Sequence, residues 1–290
     1  MSIKNVSFVG LGVMGYPMAG HLQKNGYNVT VFNRTESKAK KWVEEYGGQM
    51  GKTPNEASLN AEIVFMCVGR DEDIIEVMEG DNGILSSAKE GLIIVDHTTA
   101  SAEIARTYFA KLQKRNVAFL DAPISGGQVG AENGALSIMI GGEENDFEVV
   151  KPVLQSYGKA IELIGPSGSG QIAKMINQIC IAGLVQGLSE AMAFGKKAKV
   201  DMEKVLSVIS KGAAQSWQME NRYRTMIDGK FDYGFAVDWM RKDLSICFNE
   251  AKKNGALLPI TEIVDKYYEE VQKNGGNRLD TSSLMTLVDK

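Results

Sequence analysis

Histidine and cysteine are scarce in this chain, two and three respectively in 290 residues, and their placement excludes several kinds of chemistry. His21 and His97 stand far apart, and neither has a cysteine, aspartate or glutamate cluster at ligand spacing. That pattern gives no basis for a zinc centre or a Ser-His-Asp triad, and no metal is expected. Cys67, Cys180 and Cys247 each lie inside an apolar run ("VFMCVG", "QICIAG", "SICFNE") without paired spacing, so buried, reduced thiols are expected. No Lys/Arg-dense run exists and the formal net charge is -4. That balance argues against nucleic acid or an anionic membrane surface as the partner, and for a small solute. The opening "MSIKNVSFVG" has too short an apolar run and the wrong flanks for a signal peptide, and no stretch is expected to approach the length needed to span a bilayer. A cytoplasmic location is the resulting expectation.

What is present is an apolar fraction of 44%, enough for one large core or two modest ones, and two domains are expected. Up to Gly165, short β-branched runs ("NVSFVG", "NVTVFN", "EIVFMCV", "LIIVDHT", "VAFLDAP", "LSIMIGG", "AIELIG") alternate with amphipathic stretches. This is the pattern of a doubly wound, mostly parallel α/β sheet. After Gly165 the chain reads as long helices over roughly 168–197, 201–210, 216–228, 236–254 and 259–273, with no strand among them. "GPSGSG" at 165–170 punctuates the two halves. The expected division is a dinucleotide-binding domain over 1–165 and an all-helical domain over 166–290.

"FVGLGVMGYPMAGHL" places Gly10, Gly12 and Gly15 directly after the first strand and at the mouth of a helix. Gly10 permits a tight turn, Gly12 lets the backbone approach a pyrophosphate, and Gly15 allows close helix–sheet packing. Leu11, Val13 and Met14 fill the same turn, and Val68 after the third strand joins the cofactor-facing set. The second strand ends in Asn33, Arg34 and Thr35 instead of the acid that would hold the ribose of NAD. A guanidinium there can pair with a 2′-phosphate, so NADPH is preferred and NAD remains possible; a solvated loop cation is the competing reading. Thr98 and Thr99 in "VDHTTAS" stand at the carboxyl edge of the sheet, as ligand contacts or as a helix N-cap. After Asp121 and Pro123, the Ser125, Gly126 and Gly127 turn offers a hydroxyl and bare N–H groups to a small carboxylate, or is an ordinary loop.

The helix after "GPSGSG" carries Lys174, Asn177 and Gln178 at i, i+3 and i+4, hence on one side, at the domain junction where clefts form. Gly183 and Gly187, four residues apart on the same helix, read as close packing against another helix. Lys242 and Asp243 read either as functional or as an exposed charge pair. Trp217 and Arg222 could lie near a substrate tail, or be a core tryptophan and a surface arginine.

Four motifs in order, "GLGVMG" at 10–15, "DAPISGG" at 121–127, "GSGQIAKMINQ" at 168–178 and "KD" at 242–243, resemble those of the β-hydroxyacid dehydrogenase family. That family includes 3-hydroxyisobutyrate dehydrogenase, tartronate semialdehyde reductase and the glyoxylate/succinic semialdehyde reductases. The resemblance implies a Rossmann domain joined by a long helix to an all-α substrate and oligomerisation domain, an active site between them, and a homodimer or homotetramer. It implies that Lys174 is the catalytic general acid/base. Ser125, Gly126 and Gly127 would hold the substrate carboxylate, Asn177 and Gln178 would orient the reacting group, and Thr99 and Lys242 would contact the cofactor. The substrate implied is a small carboxylate-bearing aldehyde or hydroxyacid. Imine reduction on a similar fold, or a non-catalytic dinucleotide-binding protein, are the alternatives; Lys174 disfavours the first, and the joint presence of lysine, serine and cofactor positions disfavours the second.

Overall fold

The structure, a computed structural model, describes residues 3–289. Two compact units divide the chain, Met1–Lys174 and Met175–Lys290. In the first, the chain runs β1 (Asn5–Val9), α1 (Gly15–Lys24), β2 (Asn28–Phe32), α2 (Glu36–Tyr46), β3 (Gln49–Met50), α3 (Pro54–Ser58), β4 (Ile63–Met66) and α4 (Asp71–Glu79). It continues through β5 (Ile93–Asp96), α5 (Ala102–Gln113), β6 (Ala118–Asp121), β7 (Ile124–Ser125), α6 (Gly127–Glu132), β8 (Leu136–Gly141), α7 (Glu144–Leu154) and β9 (Gly158–Gly165).

These strands form one sheet in the order β3-β2-β1-β4-β5-β6-β8-β7, with β9 beside β8. All pairings from β3 to β6 are parallel, and β8 runs antiparallel to β6 and β7. The expected doubly wound, mostly parallel α/β sheet is therefore present. Successive residues of a strand face opposite sides, and here both sides are covered. Phe8, Ile63, Phe65, Ile93 and Val95 join one core with Met18, Leu22 and Trp42. Val9, Val64, Met66 and Ile94 join a second with Ile74, Met78, Ile104 and Tyr108. Burial on both faces is why the strands read as continuous apolar runs. Val9, Met66, Asp96 and Asp121 are register partners across β1, β4, β5 and β6. The loops after them consequently emerge at one edge, the carboxyl edge, where such folds bind ligands.

The rest of the described chain is helical: α8 (Ser169–Lys197), α9 (Met202–Ile209), α10 (Trp217–Ile227), α11 (Val237–Asn254), α12 (Pro259–Lys273) and α13 (Met285–Val288). The one β contact there is an isolated bridge between Ala236 and Asp280. Ala182 and Val185 of α8 pack with Val237, Met240 and Leu244 of α11 and Tyr268 of α12. Further along, Leu188 and Met192 pack with Leu206, Met219 and Met226.

Three expectations fail on α8. By length and composition it could cross a membrane, although 44% of its most apolar window is buried in the protein; no charged residue stands between Lys174 and Glu190. Cys180 is exposed, while Cys247 is buried and Cys67 intermediate. Cys180 stands on the outward face of the helix, one turn from Ile176 and Leu184, 59% and 46% exposed. Nor do Gly183 and Gly187 pack closely, since a Cβ at either would meet nothing within 4 Å. They line an open apolar groove of about 480 Å³ with Leu184, Leu188, Ala191 and Phe194.

Candidate active site

The turn from β1 into α1 shows why Gly10 and Gly15 are needed. Gly10 has φ +98°, and a Cβ on it would stand 2.3 Å from the Cys67 carbonyl oxygen. A Cβ on Gly15 would strike the Gly10 carbonyl and lie 2.8 Å from the Phe8 ring, so α1 rests directly on its strand. Around Gly12 there is open space, with no atom within 4 Å of a Cβ position, and Val13 is 61% exposed. The start of α1 has no side-chain cap at Met14 and no acid in its first turn. Its N–H groups and the dipole they carry therefore suit an anionic group.

Asn33 secures this turn from the end of β2: its Oδ1 accepts from Leu11 N at 2.9 Å and its Nδ2 donates to Thr35 O at 3.0 Å. Arg34 is 83% exposed, with Asp73 Oδ1 3.7 Å from its guanidinium. Val68 N donates to Thr98 Oγ1 at 3.0 Å, which ties the loop after β4 to the loop after β5. Neither threonine caps α5; Ser101 does, accepting from Ile104 N at 3.1 Å. Thr98 is buried and Thr99 half-buried.

Beneath this edge lies a polar layer that the sequence reading left unassigned. Asp96 Oδ1 accepts from Thr98 N at 2.9 Å, and burial pushes its carboxyl up to about 7. His97 is held between the Ala122 carbonyl, 2.7 Å from Nδ1, and the Tyr157 hydroxyl, 2.9 Å from Nε2. Burial lowers its imidazole to about 4, so it is neutral near pH 7. Asp121 accepts from Gly168 N at 2.7 Å and Gln171 N at 3.0 Å. Burial raises its carboxyl and those N–H groups oppose the rise. The only sequence signal was a lone acid closing each of two apolar strands, β5 and β6.

Ser125 ends β7 half-buried. Gly126 and Gly127 follow at φ +133° and +62°, the first a conformation that a side chain would strain. Around Gly127 nothing lies within 4 Å of a Cβ position. Lys174 is buried, 7% exposed, five residues after the start of α8 at Ser169.

Within the second unit, Asn177 Nδ2 donates to Gln178 Oε1 at 2.7 Å, and Gln178 Nε2 donates to Asp243 Oδ2 at 2.7 Å. Lys242 Nζ stands 2.9 Å from Asp243 Oδ1, with side chains 17% and 2% exposed. The pair is thus not the exposed charge pair weighed from sequence; Asp243 faces α8 because Gln178 receives it. The alternatives for Trp217 and Arg222 are also reversed. Trp217 is 45% exposed, whereas the Arg222 side chain is 14% exposed and 3.4 Å from the buried Asp280. The guanidinium stands 4.9 and 5.0 Å from the Trp217 and Tyr233 ring centroids, within cation–π reach of both.

The family profile described as the NAD binding domain of 6-phosphogluconate dehydrogenase matches residues 5–165. The profile described as NAD-binding of NADP-dependent 3-hydroxyisobutyrate dehydrogenase matches residues 168–288. A Shewanella frigidimarina protein described as an uncharacterized oxidoreductase is 58% identical, covering 98% of both chains. The 2-hydroxy-3-oxopropionate reductase of Escherichia coli is 34% identical, covering 98% of this chain and 97% of that one. Among solved structures, 3-hydroxyisobutyrate dehydrogenase from Salmonella typhimurium superposes with a TM-score of 0.87 at 26% identity, over 98% of this chain and 99% of that one. A glycine turn open at Gly12 on a Rossmann sheet, joined in sequence to a helical segment that matches throughout, has one reading: the chain belongs to the β-hydroxyacid dehydrogenase family of NAD(P)-dependent oxidoreductases.

Proposed function

We propose that the protein is an NADPH-preferring reductase that interconverts a short β-hydroxyacid and its semialdehyde or oxo acid, with Lys174 as general acid/base. The observation that carries this reading is the burial of Lys174. Burying an ammonium costs desolvation free energy that an apolar residue at the same place would not, and a positioned, titratable amine is what proton transfer to a developing alkoxide requires.

The first turn of α1 and the open backbone at Gly12 would take the pyrophosphate. Arg34, exposed and without an acid at the end of β2, would pair with a 2′-phosphate in place of Asp73. Leu11, Val13, Met14, Thr35, Val68, Thr99 and Lys242 complete the proposed cofactor contacts. A bound nicotinamide supplies or accepts the hydride. Lys174 Nζ faces the charge that develops on the substrate oxygen, stabilises it, and gives up its proton in reduction or recovers one in oxidation. The Ser125 hydroxyl and the N–H groups of Gly126 and Gly127 hold the carboxylate, and Asn177 and Gln178 orient the reacting group.

The relatives named 2-hydroxy-3-oxopropionate reductase and 3-hydroxyisobutyrate dehydrogenase support this substrate class. Purified protein assayed with glyoxylate, succinic, tartronic and methylmalonic semialdehydes, each with NADPH and NADH, tests it. At least one carboxylate-bearing aldehyde is expected to turn over with a higher kcat/KM for NADPH. Turnover of none of these four carboxylate-bearing aldehydes, or NADH used as well as NADPH, contradicts it.

A further inference from the structure

We propose that Gln171 is a positioning residue that sets the turn bearing Lys174 against the loop bearing Thr98 and Thr99; this rests on the reading of Lys174 as the proton donor. Gln171 is 1% exposed and both ends of its carboxamide are used. Oε1 accepts from Ala100 N at 3.0 Å and Nε2 donates to Thr98 O at 2.7 Å. The side chain therefore reads one acceptor and one donor, two residues apart, on an irregular segment. A slip of the loop by one residue would break both bonds and bury their partners unpaired.

The backbone of the same residue is fixed from the other side. Gln171 N and Gly168 N both donate to Asp121, and Gly170 leaves no slack, because a Cβ on it would lie 2.5 Å from Met139 O and 2.6 Å from Asp121 O. Through Thr98, whose hydroxyl accepts from Val68 N, the linkage reaches the loop after β4. Lys174 follows Gln171 at i+3, on the same face of α8. A packing residue would need volume alone. Here the polar pattern fixes the register between the proposed proton donor and two proposed cofactor loops, a placement in which errors near 1 Å can cost about a hundredfold in rate.

The test is a kinetic cycle on the full chain with Gln171→Met, which keeps length and loses both bonds, Lys174→Ala, and the double variant. Steady-state kinetics use the best substrate of the aldehyde panel, with NADPH titration by fluorescence and thermal melts. Gln171→Met is expected to lower kcat by ten- to a hundredfold while KM and the NADPH Kd stay within threefold. In the Lys174→Ala background it should change the residual rate less than twofold, since the group being positioned is gone. Should Gln171→Met fail to fold, Gln171→Glu, which keeps the acceptor for Ala100 N, carries the same comparison with a smaller expected fall. Equal losses in both backgrounds, or a kcat within threefold of wild type, overturn the positioning role. A collapsed Lys174→Ala beside an unchanged Gln171→Met overturns it alone, whereas a Lys174→Ala protein at wild-type rate overturns the Lys174 reading first.

Discussion

Asp96 and His97 impose opposite pH dependences on stability, and one substitution separates them. Burial places the Asp96 carboxyl at about 7 and the His97 imidazole at about 4, against about 3.9 and 6.5 in an unfolded chain. Between pH 4 and 7 the folded protein keeps a proton on Asp96 that the unfolded chain releases. Stability therefore falls as pH rises, by about 1.4 kcal/mol per pH unit and about 4 kcal/mol in all. Between pH 4 and 6.5 the unfolded chain keeps a proton on His97 that the folded protein refuses. That contribution rises with pH, by about 3 kcal/mol in all.

Over the shared window the two slopes nearly cancel. Asp96→Asn retains an oxygen for Thr98 N and removes only the falling slope. Urea unfolding followed by circular dichroism, in steps from pH 4.5 to 8, gives the difference curve, in which carboxylates that do not interact with Asp96 cancel. The variant is expected to gain about 2 kcal/mol on wild type between pH 4.5 and 6.5 and to exceed it by about 4 kcal/mol at pH 8. A difference curve that stays flat across this range refutes the burial argument for Asp96.

Arg34→Asp should lower the NADPH-to-NADH ratio of kcat/KM by roughly tenfold to a hundredfold, the value of a charge-assisted contact of about 1.5–3 kcal/mol; an unchanged ratio would remove Arg34 from the cofactor site. Ser125→Ala should raise the substrate KM by roughly tenfold and leave NADPH binding unaltered, about the value of one hydrogen bond to a charged group. It is a cleaner probe than a bulky residue at Gly126, whose φ of +133° would confound binding with backbone strain. A KM within twofold of wild type would place the carboxylate elsewhere.

Much of the scaffold was legible because its signals are local. The glycines at 10 and 15 have the spatial reasons their spacing implied, and α12 occupies Pro259–Lys273, as expected from its helical pattern. The two-residue strands β3 and β7 are too short to carry a period. Reversal of β8 against β6 is a property of the connection and not of "LSIMIGG" itself. The outward apolar face of α8 misled at Cys180, Gly183 and Gly187, because apolarity does not say whether a neighbour covers it. Gln171 joins residues 71 and 73 positions away, and Gln178 reaches Asp243 across 65. No periodicity links such partners, so the buried polar layer and the burial of the Lys242–Asp243 pair emerged only from the fold.

The central claim is that Lys174 moves the proton, and steady-state turnover of Lys174→Ala, read beside its melting temperature and NADPH affinity, tests it most directly. Neighbouring Met175 is buried, 6% exposed, and packing of this kind should hold the helix without the amine. Loss of a positioned proton donor costs about 10²–10⁴ in rate, roughly 3–5.5 kcal/mol. The account predicts a kcat lowered by that factor with little change in Tm or in NADPH Kd, and little rescue by Lys174→Arg, whose planar guanidinium does not release a proton. A variant that keeps activity within tenfold of wild type while losing stability, and that arginine restores, would show a lysine that holds the structure together and takes no part in the chemistry.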